Sequence, residues 1–290
     1  PDIVIGMKYL YSNMPYSDVG NYTFDTYLDY VQQGIYLWEN SPYVKNYPEL
    51  YFLNYVLFHR TNDEEIKPCR TYFWEKIKDK VQGKTMVEAA LEINHWCAGE
   101  VMYQGTDMRT GSALEIYRSG VGRCGEEAVF VVNVMRSAGI PARPVYVPRW
   151  SHCDDNHAWV EVWCDGDWHY LGACEPEAVL DKSWFTNAAS RAMMIGSRWY
   201  DRAMPDEKVI GKDGMNRIIN LLGKYAKTRW ITITVEDLDG TPAAGAKVRA
   251  EVMNYGEFSP IAIMEADKNG CISFETGSLQ PFDQFGRNMI

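Results

Sequence analysis

The sequence predicts an α+β fold. Three observations carry that expectation. An apolar run opens at Cys124, reads as helical to Ser137, and is stopped by Gly139 and Pro141. Two strand-like runs follow, "ARPVYV" and "HAWVEVWC", and Asp165-Gly166 turns the second back into "WHYL". Before Cys124, the chain from about Phe24 to Gly99 reads as amphipathic helices broken by "NSPYVKNYPE" and "TNDEEIKP". A helix followed by an antiparallel hairpin, with helices gathered on one side of the sequence, is an α+β arrangement.

Each element has a local reason. "YPELYFLNYVLF" offers Leu50, Leu53, Tyr55, Val56 and Leu57 as a broad apolar face. "TMVEAALEINHWCAG" begins with Thr85 as an N-cap and Glu88 three residues on, the pattern of a capping box, and Gly99 reads as its stop. The polar stretch Tyr103–Arg123 carries four glycines and a short helical candidate, "SALEIY". Long irregular stretches of this kind are either disordered or functional, and this one ends at Cys124. From about Arg229, alternating strands with Asp-Gly and Asn-Gly turns predict a small β-sandwich. About four strands are visible there, fewer than a full sandwich has, so the domain reads as truncated. The expected organisation is a helical region over 1–84, a core over 85–228 and the β-sandwich over 229–290.

Composition narrows the function classes. The chain has 290 residues and a net charge of −10, spread out and without a basic stripe, which argues against a nucleic-acid partner. No apolar run is long enough to cross a bilayer, and no charged-then-apolar leader opens the chain. The seven cysteines include no C-x-x-C pair, so neither a structural zinc site nor another cofactor is expected, and no catalytic metal. Oligomeric state is not legible.

The chemistry concentrates around Cys124. A thiol attacks a carbonyl efficiently as thiolate, and a free cysteine needs help to ionise. Cys124 opens a helix, where backbone N–H groups favour an anion, and Gly122 and Gly125 let a substrate approach the backbone closely. His157, thirty-three positions on, begins a strand and is the candidate base.

The segments "GRCGEEAVFVVNVMRSAGIPARPVYV", "NHAWVEVW" and "DWHYLGACEPE" resemble the core of the transglutaminase-like superfamily of papain-fold cysteine enzymes. The beginning "GRCGE" and the end "WHYLGACE" look most like the peptide N-glycanase branch and a group of bacterial transglutaminase-like proteins. The resemblance implies a papain-like core, Cys124 as nucleophile and His157 as general base. It also implies acyl transfer at an amide bond through a thioester, on a peptide, protein or glycopeptide. Hydrolysis is favoured over transamidation, since water needs no dedicated site. The family's third residue is an aspartate four positions after the tryptophan of the returning strand. Counted from Trp168, that position is Gly172, which has no side chain. The zinc-binding C-x-x-C pairs of the N-glycanase branch are also missing.

Glu175 is the candidate replacement. In a regular strand it would face away from His157, but a bulge at Gly172 would reverse its facing. The other reading makes it a surface acid before Pro176. Arg109, Arg123, Arg149 and Arg191 flank the motifs and either hold a substrate carboxylate or pair with local acids such as Glu126 and Glu127. Trp150, in the loop before His157, is a candidate cleft residue. The rival functional reading is a non-catalytic binding or adhesion module that kept the fold, and the C-terminal strands tilt localisation toward the cell surface or secretion by analogy alone.

Overall fold

A computed structural model describes residues 2–200, 208–213 and 216–278. The chain forms two compact units, Pro1–Val145 with Ala158–Ser183, and Tyr146–His157 with Trp184–Ile290. The α+β class expected from the sequence is the class observed. Positions 279–290 of the expected sandwich segment lie outside the described residues.

The first unit begins with α1 (Ile3–Asn13), α2 (Tyr16–Asn21), α3 (Phe24–Asn40) and the short α4 (Glu49–Phe52), which runs into a π turn over Leu53–Leu57. Then come α5 (Arg70–Val81) and α6 (Met86–Glu100). Thr85 and Glu88 make the expected capping box: the Glu88 N–H donates to Thr85 Oγ1 at 3.3 Å and the Thr85 N–H to Glu88 Oε2 at 2.8 Å. The two-residue strands β1 (Met102–Tyr103) and β2 (Val121–Gly122) pair in parallel around α7 (Ala113–Ser119).

The helix α8 (Cys124–Ser137) is the centre of this unit. From Glu126 to Ser137 every residue is buried, and α5, α6 and α7 pack against it. Gly139 ends it in a left-handed conformation, φ 83°. The strands β3 (Ala142–Val147), β4 (His157–Cys164) and β5 (Asp167–Leu171) follow, with β4 between the other two. The β4–β5 hairpin runs from Val160↔Leu171 to Cys164↔Asp167. Asp165 and Gly166 both take positive φ, 52° and 94°, as a two-residue turn of this hand requires.

Buried ion pairs tie distant segments of this unit. The Asp18 carboxylate accepts from His59 Nε2 at 2.9 Å and from Arg60 Nε at 2.7 Å, joining α2 to the segment after the π turn. Arg143 on β3 and Glu161 on β4 pair at 2.7 Å with side chains 3% and 1% exposed.

The second unit contains α9 (Thr186–Ala189), β6 (Gly196–Tyr200), β7 (Val209–Asp213), β8 (Asn216–Asn220), β9 (Thr228–Thr234), β10 (Lys247–Asn254), β11 (Glu257–Glu265) and β12 (Cys271–Gly277). Strand β8 pairs antiparallel with both β6 and β7. Strands β9 and β12 form one antiparallel pair and β10 and β11 another. Ile261, Met264, Ile272 and Phe274 share one core with Ile231, Ile233 and Val248. Among the described residues no helix is long and apolar enough to cross a membrane.

Candidate functional site

Cys124 is the first residue of α8, and the residues on either side of it fix that helix start. Glu126 accepts the Arg123 N–H at 3.2 Å and the Gly111 N–H at 3.1 Å, and its carboxylate also takes the Thr106 hydroxyl. The Arg123 guanidinium donates to Asp107 O at 3.3 Å, Arg109 O at 3.2 Å and Thr110 Oγ1 at 2.9 Å. The glycine-containing stretch before the cysteine is therefore bound to the cysteine's own neighbours.

The backbone N–H groups of Gly125 and of Ala158, on β4, reach the Cys124 sulfur. Both favour a thiolate, yet burial has the larger effect and the thiol lies above its ordinary pKa. The helix start alone does not ionise this cysteine: removing the sulfur from water outweighs the two N–H groups. All seven cysteines are free; Cys69, Cys97 and Cys164 are buried and Cys153 is exposed.

His157 is the first residue of β4 and the last of its segment in the second unit, joined covalently to Ala158 in the first. It is 8% exposed. Its ring packs on Trp184 at 4.8 Å and Phe185 at 5.0 Å between centroids. Burial depresses the imidazole to about 4, so it is neutral at pH 7. Trp150 is buried at 3% exposed; Trp184 is the indole left 64% exposed beside the histidine. No local pattern distinguished the two tryptophans, because exposure is decided by packing.

Glu175 lies in the first unit with Cys124. The path to it is a turn and not a bulge. Strand β5 ends at Leu171, Gly172 and Glu175 form an isolated bridge, and the Glu175 N–H donates to Gly172 O at 3.2 Å. Cys174, inside the turn, takes φ 56°, uncommon for a residue with a side chain. This turn folds the Glu175 side chain back over Gly172. A Cβ at position 172 would lie 2.2 Å from Glu175 Oε2 and 2.8 Å from Glu175 Cβ. The glutamate carboxylate thus fills the space where a side chain at 172 would stand.

Glu127 adds a second carboxyl, one helical turn after Cys124. It is 4% exposed. Burial, reinforced by the negative charge of Glu175, raises it to about 8, so it holds a proton at neutral pH. The i, i+3 spacing from Cys124 was the available sequence signal for this residue. The folded state binds this proton more tightly than the unfolded chain, so the group lowers stability as pH rises from about 4.5 to about 8. Glu127→Gln has no such proton. Its unfolding free energy relative to the parent should rise across that window by about 2–4 kcal/mol. Urea unfolding at pH 5 and pH 8.5 measures this; an unchanged difference between the two pH values would refute it.

The flanking arginines make local contacts. Arg109 pairs with Asp107 at 2.6 Å, Arg149 Nη1 donates to Pro148 O at 2.8 Å, and Arg191 Nε donates to Asn187 O at 3.3 Å. His169 binds Asp181, and the Asp154 carboxylate caps the Tyr255 N–H at 2.6 Å. Among the described residues, no group of three histidine, cysteine, aspartate or glutamate side chains is placed to hold a metal ion.

Residues 75–173, which include Cys124, His157 and Gly172, match the family model of the transglutaminase-like superfamily. No curated protein matches the sequence. Among solved structures, the chain is similar to a candidate cysteine protease from Cytophaga hutchinsonii at 16% identity and a TM-score of 0.32, covering 52% of this chain and 57% of that one. It is also similar to LapG from Legionella pneumophila, at 17% identity and a TM-score of 0.32, over 38% of this chain and 66% of that one. The transglutaminase of red sea bream is similar at 12% identity and a TM-score of 0.35, over 95% of this chain and 58% of that one. The chain thus spans less than two thirds of each. The family match does not single out the peptide N-glycanase branch. Residues 75–173 thus carry the similarity to the transglutaminase-like superfamily.

Proposed function

We propose that the protein is a cysteine-based hydrolase that cleaves an amide bond through a thioester. The transglutaminase-like core supports a cysteine-based hydrolase in general. The observation that carries the proposal further is the Cys124 sulfur at the start of α8, with the N–H groups of Gly125 and Ala158 directed at it. In this reading His157 is the general base, and Glu175 takes the part of the family's aspartate from three positions further along. Its carboxylate already fills the space of a side chain at 172.

The roles follow from the charges. Burial holds thiol and imidazole neutral before reaction. The imidazole removes the thiol proton as sulfur attacks the carbonyl carbon. The resulting imidazolium gains from a nearby carboxylate and returns the proton to the departing amine. Water then displaces the thiol from the thioester. N–H groups at the sulfur are also suited to an oxyanion. The substrate is a peptide, protein or glycopeptide, and no resident cofactor is invoked.

Alkylation of the seven thiols with iodoacetamide at neutral pH, mapped by mass spectrometry over time, tests this. Exposure alone ranks Cys153 first. The proposal expects Cys124 to react at least about tenfold faster than Cys153, because a base within reach of a thiol raises its reactivity by powers of ten. Labelling of Cys124 as slow as that of buried Cys97 would instead support a non-catalytic binding module, the reading that the raised thiol pKa favours.

A further inference from the structure

We propose that Asn94 is a positioning residue for the candidate site: it holds the Gly172–Glu175 turn in the form that places the glutamate carboxylate over Gly172. This rests on the reading of Glu175 as the orienting acid.

Asn94 lies in the interior of α6, where asparagine is a poor choice for the helix itself. It is 2% exposed, beside the fully buried Ala90, Ile93 and Cys97. Burying an amide in such surroundings is unfavourable unless it is bonded. Its bonds go to one place. Nδ2 donates to Gly172 O at 2.9 Å and to Glu175 O at 3.4 Å, and Oδ1 accepts the Cys174 N–H at 3.1 Å. One side chain thus binds the first, third and fourth residues of the turn across 78 to 81 positions of sequence.

The turn needs such a clamp. Its internal bond is the 3.2 Å contact from the Glu175 N–H to Gly172 O, and Cys174 holds a left-handed φ of 56°. A conformation of that kind persists when surrounding bonds over-determine it. Released from Asn94, the turn relaxes toward ordinary dihedrals and carries the Glu175 side chain away from its place. The amide touches no reacting atom; it acts through the position of the carboxylate.

A double-mutant cycle separates this role from general support of the fold. Asn94→Ala and Glu175→Gln are made singly and together, and the iodoacetamide rate of Cys124 is measured from pH 5 to 9. Urea unfolding checks that each variant folds. Asn94→Asp keeps the acceptor for the Cys174 N–H, loses both donors, and serves should the alanine variant fail to fold. The expected result is a rate loss of about tenfold or more for either substitution at position 94, shrinking to less than about twofold in the Glu175→Gln background. The pH profiles of Asn94→Ala and Glu175→Gln should coincide. An unchanged rate, or an equal loss in both backgrounds, would overturn the role of Asn94 while leaving Glu175 in place. An unchanged rate in Glu175→Gln itself would remove the orienting acid, and the role of Asn94 with it.

Discussion

Gly172→Ala is expected to slow the alkylation of Cys124 about a hundredfold while the protein stays folded, a loss at the lower end of what general acid–base assistance supplies. The added carbon would fall 2.2 Å from Glu175 Oε2 and 2.8 Å from Glu175 Cβ, so the methyl group and the glutamate side chain cannot both keep their places. The carboxylate must leave. Gly172→Asp alone evicts it in the same way, which makes the simple restoration of the family's aspartate unproductive. Combined with Glu175→Ala, the aspartate finds the space empty and offers a carboxylate on a shorter stem. That double variant should recover at least about tenfold of the lost rate, since in the proposed reading a carboxylate again serves the imidazole. Rates and urea midpoints for the three variants decide the matter. A parental rate in Gly172→Ala would mean that Glu175 does not act from above Gly172.

The largest stability effect is expected at the Arg143–Glu161 pair. The ions are 2.7 Å apart and almost wholly buried. The guanidinium also lies over the Trp168 ring, 4.0 Å from its centroid. Arg143→Ala removes the cation that faces a buried carboxylate and should cost about 3–5 kcal/mol. Arg143→Met with Glu161→Leu removes both charges at similar volume and should recover most of that loss, because neither ion is then left desolvated. Urea unfolding of the single and double variants measures both. A loss below about 1 kcal/mol in Arg143→Ala would show that water reaches the pair.

Much of the local architecture was legible because its causes lie within a few residues of one another. Thr85 and Glu88 bond across three positions, and α6 starts there. Gly139 and Pro141 stop α8, and Asp165-Gly166 closes the β4–β5 hairpin with Cys164 against Asp167. The segment "SALEIY" extends into α7 because Ser112 supplies a second capping box. The first two helices, over Ile3–Asn13 and Tyr16–Asn21, lie in the helical region expected over 1–84, but no local signal marks their bounds. With Val4, Ile5 and Tyr16 exposed, their pattern separates core from solvent poorly.

The sequence by itself determined the candidate groups: one cysteine at the mouth of an apolar helix, one histidine at a strand start, and a glycine where the resembling family carries its acid. Tertiary structure decided their states and the placement of the acid. Burial, which no local pattern measures, keeps the Cys124 thiol protonated, the His157 imidazole neutral and a proton on Glu127. The turn that carries Glu175 back over Gly172 depends on Asn94, some eighty residues earlier in the chain. Capping and turn formation are set by neighbours in sequence. Desolvation and the choice between a bulge and a turn are set by atoms that only folding brings together.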